Sequence, residues 1–171
     1  MNYSGIIKDD IANGSGIRTS LFVSGCRNNC PGCFNKKEQD FDYGEPFTDE
    51  VMEDIISSVD NPYHSGISIL GGDPMEPENA KALLPFVYKF RAKFGNSKSI
   101  WLFTGYTYEF LNLQTNDERK SLLFLVDILV DGLFIESQKD LTLKFKGSKN
   151  QTIIDIRETK LDKFHTPYVI G

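Results

Sequence analysis

Three cysteines within eight residues are the feature that most constrains this chain. Cys26, Cys30 and Cys33 are the only cysteines in the 171-residue sequence, and Pro31 and Gly32 lie between the last two. The spacing alone would place the three side chains on one face of a helix, but Pro and Gly would break a helix there. We therefore predict a loop that wraps around a soft metal centre, with thiolates as its ligands.

Three kinds of centre suit such a loop. An iron–sulfur cluster held by three cysteines keeps one iron open to an exogenous ligand, and we place this interpretation first. A structural zinc site completed by His64 or His165 is second, because neither histidine lies at a usual ligand spacing from the cysteines. A redox disulfide with one spare thiol is third. A cluster with four cysteine ligands is excluded, since the chain has only three cysteines.

Composition indicates one globular domain, which we expect to cover residues 1–171, with 155–171 as a tail that the patterns place poorly. Hydrophobic residues make up 40% and charged residues 25% of the chain, which is ordinary for a domain of this size. The net charge of −5 disfavours nucleic acid as a ligand. No apolar run approaches the ~20 residues that span a bilayer, and no signal-peptide pattern opens the sequence. We expect a cytoplasmic protein without a membrane partner, whose thiols stay reduced.

Strand-like and helical segments alternate along the chain. The predicted strands are 17–23, 66–70, 99–103, 127–132 (with its turn), 141–145 and 152–156; the predicted helices are 48–59, 78–94 and part of 118–125. Such alternation is typical of an α/β fold with a mainly parallel sheet.

Four predicted strands end in turns that contain glycine: residues 24–26, 71–73, 104–106 and 131–132. In α/β sheets and barrels, ligands bind at the carboxyl ends of the strands, and glycine lets the backbone approach a small molecule closely. We therefore expect the cysteine loop and the Gly71-Gly72-Asp73-Pro74 turn to face one pocket. Taken alone, each turn has a simpler interpretation, with Asp73 as a capping residue.

The cysteine spacing resembles the cluster motif of the radical S-adenosylmethionine (SAM) enzymes. Within that superfamily, seven segments occur in the order seen in the activating proteins of anaerobic ribonucleoside-triphosphate reductases. They are residues 13–18, 22–26, 30–35, 71–74, 104–106, 129–132 and 147–151. The resemblance extends from about residue 13 to residue 156 and so covers most of the chain.

This resemblance implies an oxidoreductase that activates a glycyl-radical enzyme. Cys26, Cys30 and Cys33 would bind three irons of a 4Fe-4S cluster, and the amino and carboxylate groups of SAM would bind the fourth. An electron from the cluster would split SAM into methionine and a 5′-deoxyadenosyl radical. That radical would remove hydrogen from a glycine of the reductase and leave a stored glycyl radical there. The cofactor supplies this chemistry, and the protein orients it.

The resemblance also implies a set of residues in contact with SAM: Gly32, Cys33, Phe34, Asn35, Gly71, Gly72, Asp73, Thr104 and Asp131. The implied fold is a single-domain, partial (β/α) barrel of the radical SAM type, whose open side would admit a glycine-bearing loop. The implied partners are the anaerobic reductase and a reduced flavodoxin-like electron donor. Two alternatives remain: an activase of another glycyl-radical enzyme, such as the formate-lyase type, and a non-catalytic zinc module that mediates protein contacts.

One substitution tests the ligand assignment. Cys30→Ala removes one of the three thiolates, so we expect the variant to bind no cluster and to cleave no SAM. After anaerobic reconstitution with iron and sulfide, the variant should stay colourless and lack the charge-transfer absorbance of the unchanged chain. Retained SAM cleavage would contradict the assignment, and zinc in the anaerobically purified protein would favour the zinc module.

Overall fold

The computed structural model describes residues 1–115 and 117–171. These residues form eight strands: β1 (Asn2–Asp10), β2 (Ile17–Val23), β3 (Glu45–Pro46), β4 (His64–Gly71), β5 (Ser99–Phe103), β6 (Ile128–Asp131), β7 (Thr152–Asp155) and β8 (Tyr168–Val169). They also form five α-helices: α1 (Asp49–Ser58), α2 (Pro77–Phe94), α3 (Tyr108–Leu113), α4 (Glu118–Leu125) and α5 (Ile156–Leu161). None of these helices is long and apolar enough to cross a membrane.

The strands form one sheet in the order β3-β1-β2-β4-β5-β6-β7-β8. The central strands β2, β4, β5 and β6 are parallel, whereas the four outer pairings are antiparallel. The expectation of a mainly parallel sheet is therefore right for the centre and wrong for the sheet as a whole, which is mixed. Parallel neighbours need a crossover, usually a helix, and no α-helix lies between β1 and β2 or between β6 and β7.

Alternate side chains of each strand face opposite sides of the sheet. One side packs against the helices in a large apolar core; its members include Leu21, Ile69, Leu102 and Leu129 from the strands and Ile55, Phe86 and Leu122 from the helices. The other side carries a smaller cluster without helical residues: Trp101, Ile128, Val130 and Ile153, with Phe103 and Phe145 packed against them. The helices thus cover one face and leave the other free to line a cavity.

Most predicted elements are confirmed. β2 and β5 have the predicted bounds, and β4, β6, β7, α1, α2 and α4 overlap the predicted segments. Thr48 caps α1 as expected, because its hydroxyl accepts the Val51 N–H at 3.4 Å. Gly95 follows the last residue of α2.

The predicted strand at residues 141–145 is wrong, because this segment forms turns. The Asp140 carboxylate accepts the Thr142 N–H at 2.9 Å and its hydroxyl at 2.6 Å, which bends the chain at the start of the segment. Phe145 has a φ of +61° and packs its ring on Trp101 at 5.1 Å. Phe145 of this alternating segment therefore packs on the sheet, whereas Leu141 is 84% exposed.

Five elements have no counterpart among the predictions: β1, β3, β8, α3 and α5. Two of them lie in the segment expected to be a poorly placed tail. There β8 pairs with β7, with Val169 opposite Ile154. The edge strands β3 and β8 have two residues each, so their sequence patterns carry little signal.

A core substitution tests this architecture. Ile69 is fully buried in β4 between β2 and β5, so Ile69→Ala should lower the free energy of unfolding by about 2–5 kcal/mol. Ile11 is 74% exposed, and Ile11→Ala should change the same quantity by less than about 0.5 kcal/mol. Urea denaturation of the two metal-free variants measures both values, and equal effects would contradict the buried position of Ile69.

Candidate functional site

A cavity of about 620 Å³ lies at the carboxyl ends of the four parallel strands. The residues that follow these strands line it: Cys26 after β2, Gly72 and Asp73 after β4, Thr104 and Gly105 after β5, and Gly132 after β6. The free face of the sheet contributes Phe22, Leu70, Phe103 and Val130, and the segment 140–147 closes a further side. The volume suits a small-molecule ligand, for which ~300–1,000 Å³ is typical. The cysteine loop and the Gly71–Asp73 turn thus face one cavity, as the sequence predicted.

Nine of the eleven residues predicted as cluster ligands or SAM contacts line this cavity: Cys26, Cys30, Cys33, Phe34, Asn35, Gly71, Gly72, Asp73 and Thr104. Gly32 and Asp131 do not belong to the lining. Gly32 has a φ of +70°, and a Cβ there would lie 2.6 Å from the Glu136 carboxylate, so glycine lets the loop pass that side chain.

The Asp131 carboxylate is occupied within the fold. Its Oδ2 accepts the Tyr108 N–H at 2.7 Å, and its Oδ1 accepts the Thr152 hydroxyl. The side chain is also buried. Asp131 therefore joins β6 to the start of α3 and to β7, outside the cavity.

The cysteine loop is not helical, and its three thiols are free and partly buried. The Cys33 N–H donates to the Cys30 carbonyl at 3.2 Å and closes a tight turn over Pro31 and Gly32. Burial raises the pKa of the Cys26 thiol to about 11 and also raises the pKa of Cys30. In the metal-free chain these two thiols are therefore protonated at neutral pH, and a bound metal would displace their protons.

The donor set fits a three-cysteine centre in type and number, because three thiols on one loop face one cavity. Among residues 1–115 and 117–171, no three His, Cys, Asp or Glu side chains are grouped closely enough to hold a metal ion as they stand. Binding a metal centre would therefore require the three thiols to move closer together.

Neither histidine supplies the fourth ligand that the zinc alternative needs. His64 lies at the first residue of β4, the end opposite the cavity, where its Nδ1 is 3.0 Å from the Asn61 Oδ1 and its Nε2 is 3.2 Å from the Asp9 carboxylate. The His165 ring packs on Phe124 at 5.2 Å. Neither residue belongs to the cavity lining.

The Asp73 carboxylate connects three loops at the cavity. Its Oδ1 accepts the Met75 N–H at 2.9 Å and the Thr104 hydroxyl at 2.7 Å. Its Oδ2 accepts the Gly105 N–H and the Asn28 side-chain amide, both at 2.9 Å. Asp73 is only 1% exposed, and burial raises its pKa to about 6 although these hydrogen bonds lower it. The Asp73 side chain thus caps backbone N–H groups, as its simpler interpretation expected.

Gly72 lets the turn after β4 pack directly on the cysteine loop. A Cβ at this position would lie 2.6 Å from the Glu38 carbonyl and 2.7 Å from the Gly25 carbonyl. The Gly72 N–H donates to the Val23 carbonyl at 2.7 Å, and the Asp73 N–H donates to the Gly25 carbonyl at 2.9 Å. Only glycine allows this approach.

Sequence reasoning missed the polar residues that support these turns. The Asn79 amide donates to the Ser24, Gly25 and Asp73 carbonyls at 3.0, 3.2 and 2.9 Å. Asn28 lies inside the cysteine motif, yet its spacing did not reveal its partner, because that partner is 45 residues away.

Comparison with known proteins agrees with this geometry. Residues 12–154 match the family model of a 4Fe-4S single cluster domain. The chain is 39% identical over 159 residues to the anaerobic ribonucleoside-triphosphate reductase-activating protein of Escherichia coli K12, covering 92% of this chain and 100% of that protein. Proteins of the same name from Vibrio cholerae and Enterobacteria phage T4 are 40% and 34% identical over 155 residues. These two alignments cover 90% of this chain and 97% and 93% of the relatives.

The titration of Asp73 gives a testable pH dependence. The folded chain holds a proton on Asp73 up to about pH 6, whereas the reference aspartate has a pKa of 3.8. The stability that this proton contributes is complete below about pH 4 and is lost as the pH rises through about 6. Asp73→Asn cannot titrate, so the free energy of unfolding of the unchanged chain should fall relative to the variant across this window.

Urea denaturation of the metal-free chain at several pH values measures this difference. Thr104→Ser is the matched control, because it keeps the hydroxyl that donates to Asp73 and should retain the pH profile of the unchanged chain. A pH-independent difference between Asp73→Asn and the unchanged chain would contradict the shifted pKa.

Proposed function

This chain belongs to the family of anaerobic ribonucleoside-triphosphate reductase-activating proteins, and on that premise we propose that it is the activating enzyme of such a reductase. The observation that carries this proposal is the position of three free cysteines at a cavity formed by the carboxyl ends of four parallel strands. The match to a 4Fe-4S domain over residues 12–154 agrees with it.

Cys26, Cys30 and Cys33, which all line the cavity, are the residues that would hold the cluster. When bound, the cluster supplies the electron that cleaves SAM and begins the radical chemistry. The protein contributes the shape and polarity of the site around that chemistry.

The proposed SAM site lies between the cysteine loop and the turn after β4. Gly71 and Gly72 line the cavity beside the cysteine loop, and we place the amino-acid end of SAM against them. Asn35 donates to the Gly71 carbonyl at 3.0 Å and so joins the two segments. Phe34 packs on Phe134 with ring centroids 5.1 Å apart and offers an aromatic face for the adenine.

Asp73 and Thr104 have a positioning role in this proposal. Each oxygen of the Asp73 carboxylate already accepts two hydrogen bonds from protein donors, so we assign its charge to holding the turns. Asp131 and Gly32 are left out of the SAM contacts, because neither lines the cavity.

We propose that the mixed sheet is a partial (β/α) barrel of the radical SAM type. The helices pack on one face, the cavity occupies the other, and the sheet has two edges at β3 and β8. The apolar side chains of the cavity face, Phe22, Leu70, Phe103 and Val130, would exclude water from the reacting atoms.

The proposed substrate is the glycine-bearing segment of the reductase, which would enter the cavity from its open side. Exposed apolar side chains stand at this mouth: Phe34 and Leu141 line the cavity and are 60% and 84% exposed. Family membership further suggests a reduced flavodoxin-like electron donor, and three free thiols suit a reducing compartment such as the cytoplasm.

The test is anaerobic reconstitution with iron and sulfide, followed by addition of SAM, a reductant and the anaerobic reductase. We expect SAM cleavage and an electron paramagnetic resonance signal from a glycyl radical on the reductase. Cys30→Ala, treated identically, should give neither. A protein that loads iron but leaves no radical on the reductase would overturn the proposal. A radical on a formate-lyase type enzyme instead would identify a different substrate.

A further inference from the structure

A buried glutamate binds the cysteine loop at a residue between the first two cysteines. Glu76 Oε1 accepts the backbone N–H of Arg27 at 2.7 Å, and Glu76 Oε2 accepts from Arg27 Nη1 at 2.6 Å. Glu76 is fully buried, and it precedes the first residue of α2, Pro77. The amino-terminal end of a helix stabilises a carboxylate at that position. The loop is thus held through both its backbone and its charge.

A second glutamate pairs with the same guanidinium in a different environment. Glu78 also accepts from both terminal nitrogens of Arg27, but its side chain is 53% exposed. Exposed ion pairs contribute little to stability, whereas removing the partner of a buried charge has a large effect. Of these two carboxylates, only Glu76 accepts from the Arg27 backbone N–H. Glu76 therefore holds both the backbone and the side chain of Arg27, whereas Glu78 pairs with the side chain alone.

Residues 26–28 of the cysteine loop make three further contacts. The Cys26 N–H donates to the Gln39 carbonyl at 3.1 Å, and Asn28 donates to Asp73 at 2.9 Å. The Arg27 guanidinium also lies over the Phe41 ring at 4.4 Å. Residues 26–28 are therefore held by contacts to Gln39 and Phe41, to Asp73 and to Glu76. In the contact with Glu76 the carboxylate is fully buried, whereas the Arg27 side chain is 56% exposed.

We propose that Glu76 is a positioning residue that orders the amino-terminal half of the cysteine loop before the cluster binds. This inference rests on the proposed role of Cys26, Cys30 and Cys33 as cluster ligands. A loop ordered by the fold loses less conformational entropy when the metal centre assembles, and it therefore binds that centre more tightly. Glu76 also joins Arg27, the residue after Cys26, to the connection between β4 and α2, which begins with the Gly71–Asp73 turn. The cysteine loop and this turn therefore keep one relative position.

The test compares Glu76→Gln with its matched control Glu78→Gln in the full chain. Both changes remove one negative charge near Arg27 and keep the side-chain size. The first readout is hydrogen–deuterium exchange of residues 26–28 in the metal-free protein, which contain the amide bound by Glu76. We expect exchange about tenfold faster in Glu76→Gln, because a hydrogen bond to a neutral acceptor is weaker than one to a carboxylate. Glu78→Gln should stay within about threefold of the unchanged chain.

The second readout is the iron required for half-maximal cluster formation in anaerobic reconstitution. It should rise about tenfold in Glu76→Gln, the size typical of losing a residue that supports a metal ligand, and remain unchanged in Glu78→Gln. Equal exchange in the two variants would overturn the proposal. So would exchange in Glu76→Gln that rises equally in β2 and β4, because Glu76 would then serve only global stability.

Glu76→Asp gives an independent test if Glu76→Gln does not fold. It keeps the negative charge but shortens the side chain by one methylene, which moves the carboxylate away from the Arg27 N–H. Exchange at residues 26–28 should therefore rise severalfold, and no change would overturn the proposal. Neither readout uses the reductase or SAM. Normal exchange and iron binding with no glycyl radical would therefore count against the proposed function, and not against the role of Glu76.

Discussion

The site depends on a buried carboxylate that is satisfied entirely by neighbouring loops. Asp73 is almost inaccessible to solvent, and four donors from three segments converge on its two oxygens. A buried charge is tolerated only when it is fully hydrogen-bonded, so these segments hold one another in place. The turn after β4, the turn after β5 and the cysteine loop therefore behave as one unit around the cavity.

The same physical principle operates a second time beside the cysteines. Glu76 is buried and accepts from Arg27 in the cysteine loop, as Asp73 accepts from Asn28. Two successive loop residues thus reach two acidic residues of the next βα connection. The loop that carries three thiols is in this way fixed to the β4–α2 connection, and loops positioned by a rigid scaffold commonly carry function.

Periodic apolar patterns and glycine turns predicted the central strands, three helices and the shared cavity. They failed where tertiary contacts decide the conformation. Residues 141–145 alternate like a strand but form turns, because Asp140 bends the chain and Phe145 packs on Trp101. The edge strands β3 and β8 were also missed, since strands of two residues carry little pattern of their own. Asp131 was assigned to the cofactor from its place in a motif, yet its carboxylate is occupied by Tyr108 and Thr152.

The sequence by itself determined the kind of chemistry. Three cysteines at this spacing, with Pro31 and Gly32 among them, predict a non-helical loop whose thiols would form a ligand set one short of four. Only the tertiary structure decided which residues support that loop. Asn28 and Arg27 meet partners 45 and 49 residues away, and such pairings arise from how the parallel strands place their ends together. Local patterns report which residues share a face of one element, whereas hydrogen bonds between distant loops depend on the packed fold.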